Sequence, residues 1–274
     1  MTTISLPRRR LLQGTAAAIA LPSAFGALAQ APARQFRIGN QKGLLNILKG
    51  RGTLEKRLAP LAYVGATVPR PQSEAVLVPK GSAIKTVAEL KGRKIALNKG
   101  SNVHYFIVKL FEKHGLSYAD LNLVYLPPAD ARAAFEKGSI DAWVIWDPFL
   151  AAAEKTLEAR VLADATGVVG NRAYYFSSLD YAAKNADVVA IAIEELNKVD
   201  AWGSANRGEL ATELAALWGL PKPVSDLTVA RTAYGTTPIT KAILGEQQKI
   251  ADTFFELKLI PKKINVLEAA TGIA

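Results

Sequence analysis

An α/β fold with parallel strands is predicted by three features of this 274-residue chain. Strand-like and helix-like segments alternate along most of it, the pattern of repeated βαβ units. Ile140 to Trp146 is almost wholly apolar and β-rich, as a strand buried on both faces must be. The turns after predicted strands carry helix-start chemistry: Asn98-Lys99-Gly100 before Ser101, Pro127-Pro128-Ala129-Asp130, and Asp147-Pro148. Composition agrees. The chain is 50% hydrophobic and 21% charged, which excludes collagen, low-complexity disorder and a coiled-coil rod. Its length allows one large domain or two modest ones.

The elements follow in order. Gln35 to Gly39 is a short strand ending in the polar turn Asn40-Gln41-Lys42-Gly43. Leu44 to Leu58 is helical, with Leu44, Ile47, Leu48, Leu54 and Leu58 on one face, interrupted by Gly50 and Gly52. Ala62 to Ala66 and Glu74 to Val78 are strands separated by a Pro-rich turn. Thr86 to Leu90 makes a turn or two of helix, and Lys94 to Leu97 is a strand. Ser101 caps a helix that sets Val103, Phe106, Ile107, Leu110 and Phe111 on one side and stops at Gly115. Leu121 to Leu126 is a strand. A short helix after Pro127-Pro128 stops at Gly138, and the strand Ile140 to Trp146 leads into a helix running to about Glu158, with Asp147 as N-cap and Pro148 at its first position. Val161-Leu162 and Tyr174 to Ser177 are further strands. From Asp187 the chain is mostly helical, ending in an amphipathic helix from Thr240 to Leu257 that Pro261 follows. The clearest βα block, residues 82–165, has strand-bearing segments on both sides, which implies two lobes with the chain crossing and returning.

The first residues read as an export signal. Arg8-Arg9-Arg10 precede an uncharged, Ala-rich stretch from Leu11 to Leu28, and Ala27-Leu28-Ala29 is an A-x-A site, so cleavage is expected after Ala29. Paired arginines followed by Leu11-Leu12-Gln13 look like a twin-arginine signal; a Sec signal with three arginines is the alternative. Removing residues 1–29 takes away three Arg and no acid, so the formal charge falls from +10 to +7. A positive field suits an anionic ligand, and general surface basicity explains it equally. No basic stripe with interleaved aromatics suggests nucleic acid. Cysteine is absent, which excludes disulfides and thiolate metal sites, and His104 and His114 are the only histidines.

Ligands of open α/β sheets sit beyond the carboxyl ends of the strands, where helices begin. Three turns qualify: Asn40-Gln41-Lys42-Gly43; Lys99-Gly100-Ser101-Asn102 with His104 and Tyr105 one turn on; and Trp146-Asp147-Pro148. Free amides at a helix start can hold an anion, and Lys99 adds a full charge. Each feature also has an ordinary reading: Ser101 and Asp147 as caps, Trp146 as core, His104 as a solvated side chain. The P-loop, G-x-G-x-x-G, G-x-S-x-G and H-E-x-x-H patterns are all missing. An enzyme on this scaffold would have to use Asp141 or Asp147 with His104, without a nucleophile or metal beside them.

Four stretches carry a specific resemblance. Asn98 to Tyr105 (NKGSNVHY), Tyr125 to Phe149 (YLPPADARAAFEKGSIDAWVIWDPF), Gly52 to Leu61 (GTLEKRLAPL) and Gln247 to Lys263 (QQKIADTFFELKLIPKK) resemble the periplasmic aliphatic-sulfonate-binding proteins of ABC transporters, within the taurine, nitrate and sulfonate receptor family. The resemblance implies a two-lobe, hinge-closing type II periplasmic-binding-protein fold. Residues 1–29 would be the signal, 30–81 plus 171–274 the first lobe with the C-terminal helices, and 82–170 the second lobe. It implies a sulfonate held by amides and polar side chains, with no cofactor or metal, and delivery to an inner-membrane permease. By position, Gln41 resembles the first-lobe ligand residue, Ser101, Asn102, His104 and Tyr105 the second-lobe anion cradle, and Trp146 with Asp147 the cleft wall. Ser101 is expected to offer its hydroxyl to the sulfonate. The implied protein is a monomeric, periplasmic receptor serving sulfur acquisition, with no nucleic acid partner. One departure is large. Family members carry some tens of residues between the equivalents of Leu61 and Ala62, including a T-G-D-T-P-P-like pocket loop, and here that β-α segment is missing. A receptor for taurine, nitrate or a pyrimidine precursor, and a non-binding remnant, therefore stand as alternatives.

Overall fold

The computed structural model describes residues 61–270, all within one unit, Thr53–Ala274. The export signal, the strand at 35–39, Gln41 and the helix at 44–58 lie outside the described residues.

Among the described residues eight strands form two sheets. The larger has the order β4-β3-β5-β2-β6, from β2 (Glu74–Val78), β3 (Lys94–Leu97), β4 (Asn122–Tyr125), β5 (Ala142–Trp146) and β6 (Arg160–Asp164). The smaller has the order β7-β1-β8, from β1 (Leu61–Thr67), β7 (Tyr174–Ser178) and β8 (Thr236–Pro238). Eight α-helices accompany them among the described residues: α1 (Asn102–Lys113), α2 (Pro128–Glu136), α3 (Phe149–Thr156), α4 (Leu179–Lys184), α5 (Ala186–Ala205), α6 (Arg207–Trp218), α7 (Lys222–Arg231) and α8 (Lys241–Glu256). No described helix is long and apolar enough to cross a membrane.

The α/β class holds, but the expectation of parallel strands throughout needs correcting. β3 runs parallel to β4 and β5, whereas β2 is antiparallel to both β5 and β6. The smaller sheet is antiparallel. The reason lies in the connections. α1 and α2 are the crossovers that parallel neighbours require. β2 instead enters straight from β1 through residues 68–73, so no crossover sets its direction. Glu74–Val78, which precedes the 82–170 block, is thus hydrogen-bonded between β5 and β6 of the larger sheet.

Alternation along β2 and β5 builds a core on each face of the larger sheet. Val76, Val78, Ala142 and Val144 face α1, whose Val103, Phe106, Ile107, Leu110 and Phe111 are all buried. Ala75, Leu77, Trp143 and Ile145 face Ala131 and Phe135 of α2 and Leu150 and Ala153 of α3. Each large apolar side chain so buried contributes about 1.5–3 kcal/mol. Gly115 ends α1 as expected, in the left-handed region with φ +71° that a side chain would strain. The helix after β5 begins one residue later than expected: Pro148 is the N-cap, and Asp147 Oδ1 instead accepts from the Ala151 amide at 3.0 Å.

Candidate functional site

The start of α1 combines open amides with a buried acid. The amides of His104 and Tyr105 both donate to the Ser101 carbonyl, whereas those of Asn102 and Val103 have no acceptor among the described residues. Such unpaired N–H groups at a helix start are ready for an anion. The turn that presents them is held from below. The Gly100 amide donates to Nδ1 of the fully buried His104 at 3.1 Å, and Nε2 lies 3.2 Å from the Tyr118 hydroxyl. An amide can only donate, so Nδ1 is the acceptor and the neutral ring carries its proton on Nε2. Burial first, and the Lys99 charge second, hold this imidazole down at about 4.

A cavity of about 300 Å³ opens beside this turn. Its wall brings Asn102 and Tyr105 of α1 together with Glu74 of β2, Asn171 and Arg172 of the loop before β7, and Lys249 of α8. Glu74 opens an otherwise apolar strand and is fully buried. Asn102 Nδ2 donates to Glu74 Oε2 at 2.6 Å and to Asn171 Oδ1 at 3.1 Å, and Asn171 Nδ2 donates to the Arg70 carbonyl at 3.0 Å. Glu74 Oε1 has no partner among the described residues. Burial pushes this carboxyl up to about 8, against the opposing pull of the Asn102 hydrogen bond. Arg172 forks onto Glu246, with Nε at 2.9 Å and Nη2 at 3.2 Å, and its Nη1 donates to the Thr67 carbonyl at 2.8 Å. Lys249 makes no ion pair among the described residues. With Arg172 and Glu246 cancelling and Glu74 protonated, the wall carries one net positive charge, which favours an anion.

The residues singled out in the sequence divide. Asn102 and Tyr105 line this cavity. Ser101 is the N-cap but makes no side-chain capping bond; its hydroxyl donates to the Asn98 carbonyl at 2.6 Å, so that proton is already engaged. His104 lies beneath the turn in an aromatic cluster with Tyr118, Tyr125 and Phe254, buried rather than solvated. Trp146 pairs across the sheet with Glu74 and packs edge-on against Phe149. Asp147 lines a different cavity of about 300 Å³, with Arg70, Ser73 and Asp200. There its Oδ2 lies 3.4 Å from Arg231 Nε, and Arg231 also pairs with Glu154. Burial raises Asp147 to about 6, with Arg231 pulling it down. Gln41 lies outside the described residues. No group of three or more potential metal-ligating His, Cys, Asp or Glu occurs among the described residues.

Sequence reasoning missed Glu74, Asn171, Arg172 and Lys249. A signal existed for Glu74 alone, a lone acid heading an apolar strand. Arg172 and Lys249 reach the cavity only through tertiary packing.

Residues 52–199 match the family model described as NMT1/THI5 like. A putative aliphatic sulfonates-binding protein of Escherichia coli is 38% identical over 76% of this chain and 66% of its own length. The chain thus spans just under two thirds of that relative. Among solved structures, the periplasmic aliphatic sulphonate binding protein SsuA of E. coli superposes with a TM-score of 0.74 at 36% identity, covering 78% of this chain and 70% of that one. The alkanesulfonate-binding protein SsuA of Xanthomonas axonopodis pv. citri, solved with MOPS bound, gives 0.70 at 38% identity, covering 77% and 73%. The shared architecture is the type II periplasmic-binding-protein fold.

Proposed function

The chain belongs to the NMT1/THI5-like family together with the aliphatic-sulfonate-binding proteins, and on that premise we propose that it is the solute receptor of an ABC importer that captures aliphatic sulfonates. The observation that carries the proposal is the 300 Å³ cavity beside the start of α1, lined by Asn102, Tyr105, Lys249 and the buried acid Glu74. A sulfonate is fully ionised and has three acceptor oxygens and no donor, so an array of donors with net positive charge matches it. Asn102 and Tyr105, with the amides of Asn102 and Val103, form the anion end. By resemblance Gln41 is the ligand residue of the first lobe, and Trp146 with Asp147 the cleft wall.

The protein works as a periplasmic monomer, exported by its twin-arginine-like segment with cleavage after Ala29, and passes its ligand to an inner-membrane permease for sulfur acquisition. It binds and releases without catalysis. Residues 30–81 and 171–274 are assigned to the first lobe and 82–170 to the second, with Glu74–Val78 the segment of the former that is hydrogen-bonded into the larger sheet. On the resemblance, the first lobe lacks the β-α segment that family members carry between the equivalents of Leu61 and Ala62.

Titration calorimetry at pH 6 with ethanesulfonate, butanesulfonate and taurine tests this. Saturable binding of at least one alkanesulfonate is the expected result. A sample that melts cooperatively yet binds none of the three would leave a non-binding remnant. That second reading is favoured by one observation, the exposed apolar side chains Leu61, Phe176 and Ile191 around the smaller sheet.

A further inference from the structure

Glu74 is a buried acid whose use the family reading leaves open. Its position narrows what it can do. Both hydrogens on Asn102 Nδ2 are committed, one to Glu74 Oε2 and one to Asn171 Oδ1. The Asn171 amide is fixed in turn, because its nitrogen donates to the Arg70 carbonyl. The chain of bonds therefore has one polarity, and Oε2 is an acceptor in it. The carbonyl oxygen of a neutral carboxyl is the better acceptor, so a proton on Glu74 sits on Oε1, which has no partner among the described residues. We propose that Glu74 binds as the neutral acid and donates its Oε1 proton to an oxygen of the sulfonate lodged at the start of α1. This rests on the sulfonate reading and adds to it a rule: the receptor takes an anion together with a proton.

The surroundings favour this over an ionised Glu74 that would recruit an ammonium group. From α1 the neighbours are Asn102 and Tyr105, neither cationic. From β5 the cross-strand partner is Trp146, and from β6 the nearest acid is Asp164, opposite Ala75. The loop before β7 brings Arg172, which is forked onto Glu246 of α8, and β7 brings Tyr174. Lys249 of α8 lines the cavity but forms no bond to Glu74. Among the described residues no cation is bonded to the carboxyl, and burial pushes it up to about 8. Ionised, the same oxygen would confront a sulfonate oxygen with like charge.

The test is ethanesulfonate binding as a function of pH, by calorimetry on the full chain. A single linked proton at about 8 gives roughly a tenfold loss of affinity between pH 7 and pH 9. Calorimetry in buffers of different ionisation enthalpy should show close to one proton taken up per sulfonate at pH 9 and almost none at pH 6. Glu74→Gln keeps a donor at every pH, and its affinity should not vary between pH 7 and 9. A flat profile in the parent, or a Glu74→Gln profile as steep as the parent's, would overturn the role of Glu74. So would taurine binding that strengthens from pH 7 to 8, the mark of an ionised carboxylate holding an ammonium group. These outcomes leave the sulfonate reading intact, whereas absence of any sulfonate binding at pH 6 defeats both. Proton uptake is read on the parent protein, so it stands even where the variant fails to fold.

Discussion

The larger and smaller sheets are stabilised by different means. The five-stranded sheet is covered on both faces by large apolar side chains, Phe106, Phe111 and Leu97 on one side and Trp143, Leu150 and Phe135 on the other. The three-stranded sheet and its helices bury mainly small or isolated groups such as Ala62, Ala66, Ala182 and Ile193, and leave Leu61, Phe176, Ile191 and Val199 exposed. What links the smaller sheet to its neighbours is largely polar: Arg172 joins Thr67 of β1 to Glu246 of α8, and Thr236 of β8 donates to Asp200 of α5 at 2.5 Å. Apolar burial is the larger and less directional force, so the larger sheet is the rigid platform and the anion end of the cavity is built on it.

The largest expected effect separates the two regions directly. Phe111→Ala removes a fully buried ring from the α1 face and should cost about 3–5 kcal/mol in urea unfolding. Ile191→Ala, on exposed α5, should stay within about 0.5 kcal/mol. Comparable losses at both positions would mean that the smaller sheet is as tightly covered as the larger. Next comes Arg172→Met, which leaves Glu246 and the Thr67 carbonyl without their donor. It is expected to cost about 1–3 kcal/mol, as befits a region held by polar links. A neutral result would shift the stability of the smaller sheet to contacts other than this fork.

Much of the larger sheet was legible in the sequence because its signals are local. The apolar stripe from Val103 to Phe111 and the run from Ala142 to Trp146 each specify an element and a buried face. The direction of β2 was not legible, because period-two alternation is the same for either direction. The site was half legible. Asn102 and Tyr105 belong to a motif read along one helix, and they line the cavity. Glu74, 28 residues before Asn102, joins them only once β2 lies beside β5. His104, expected in the anion cradle with a solvated side chain as the alternative, instead lies buried beneath it, because its place one turn into α1 says nothing of the Gly100 turn folding back over its ring.

The pH dependence of stability sharpens the contrast further, since the perturbed groups flank the larger sheet. Glu74 is raised in the folded protein from an ordinary 4.5 to about 8, so the folded state holds a proton that the unfolded chain has lost. Stability from this group is complete below pH 4.5 and declines as pH rises toward 8. Asp147, raised to about 6, has the same sign and a window ending near pH 6. His104 has the opposite sign: its stabilising neutral form is complete above pH 6.5 and is lost as pH falls toward 4. Between pH 6.5 and 8 only Glu74 among these three contributes a slope, and the fall should be of order 1–2 kcal/mol. Thermal melts of the parent and of Glu74→Gln over that interval check it, with the variant expected to be flat. A parent whose stability rises over the interval would show that the carboxyl is ionised in the fold.

The smallest effect is expected at Ser101, although it stands at the head of the anion cradle. Its hydroxyl donates to the Asn98 carbonyl and makes no bond to the amides of α1. The cavity wall takes in its neighbours Asn102 and Tyr105 instead. Ser101→Gly therefore removes neither a capping bond nor a donor aimed at the ligand, and Gly is tolerated at a helix N-cap at a cost of only a few tenths of a kcal/mol. The melting temperature should move by about a degree or two, and ethanesulfonate affinity by less than about threefold. Asn102→Ala is the companion, because it frees both Glu74 Oε2 and Asn171 Oδ1 from their donor and should weaken binding about tenfold or more. A tenfold loss in Ser101→Gly with an unchanged melt would mean that the hydroxyl leaves Asn98 when the sulfonate arrives. The anion would then sit at the tip of the helix, over Ser101, and away from Glu74.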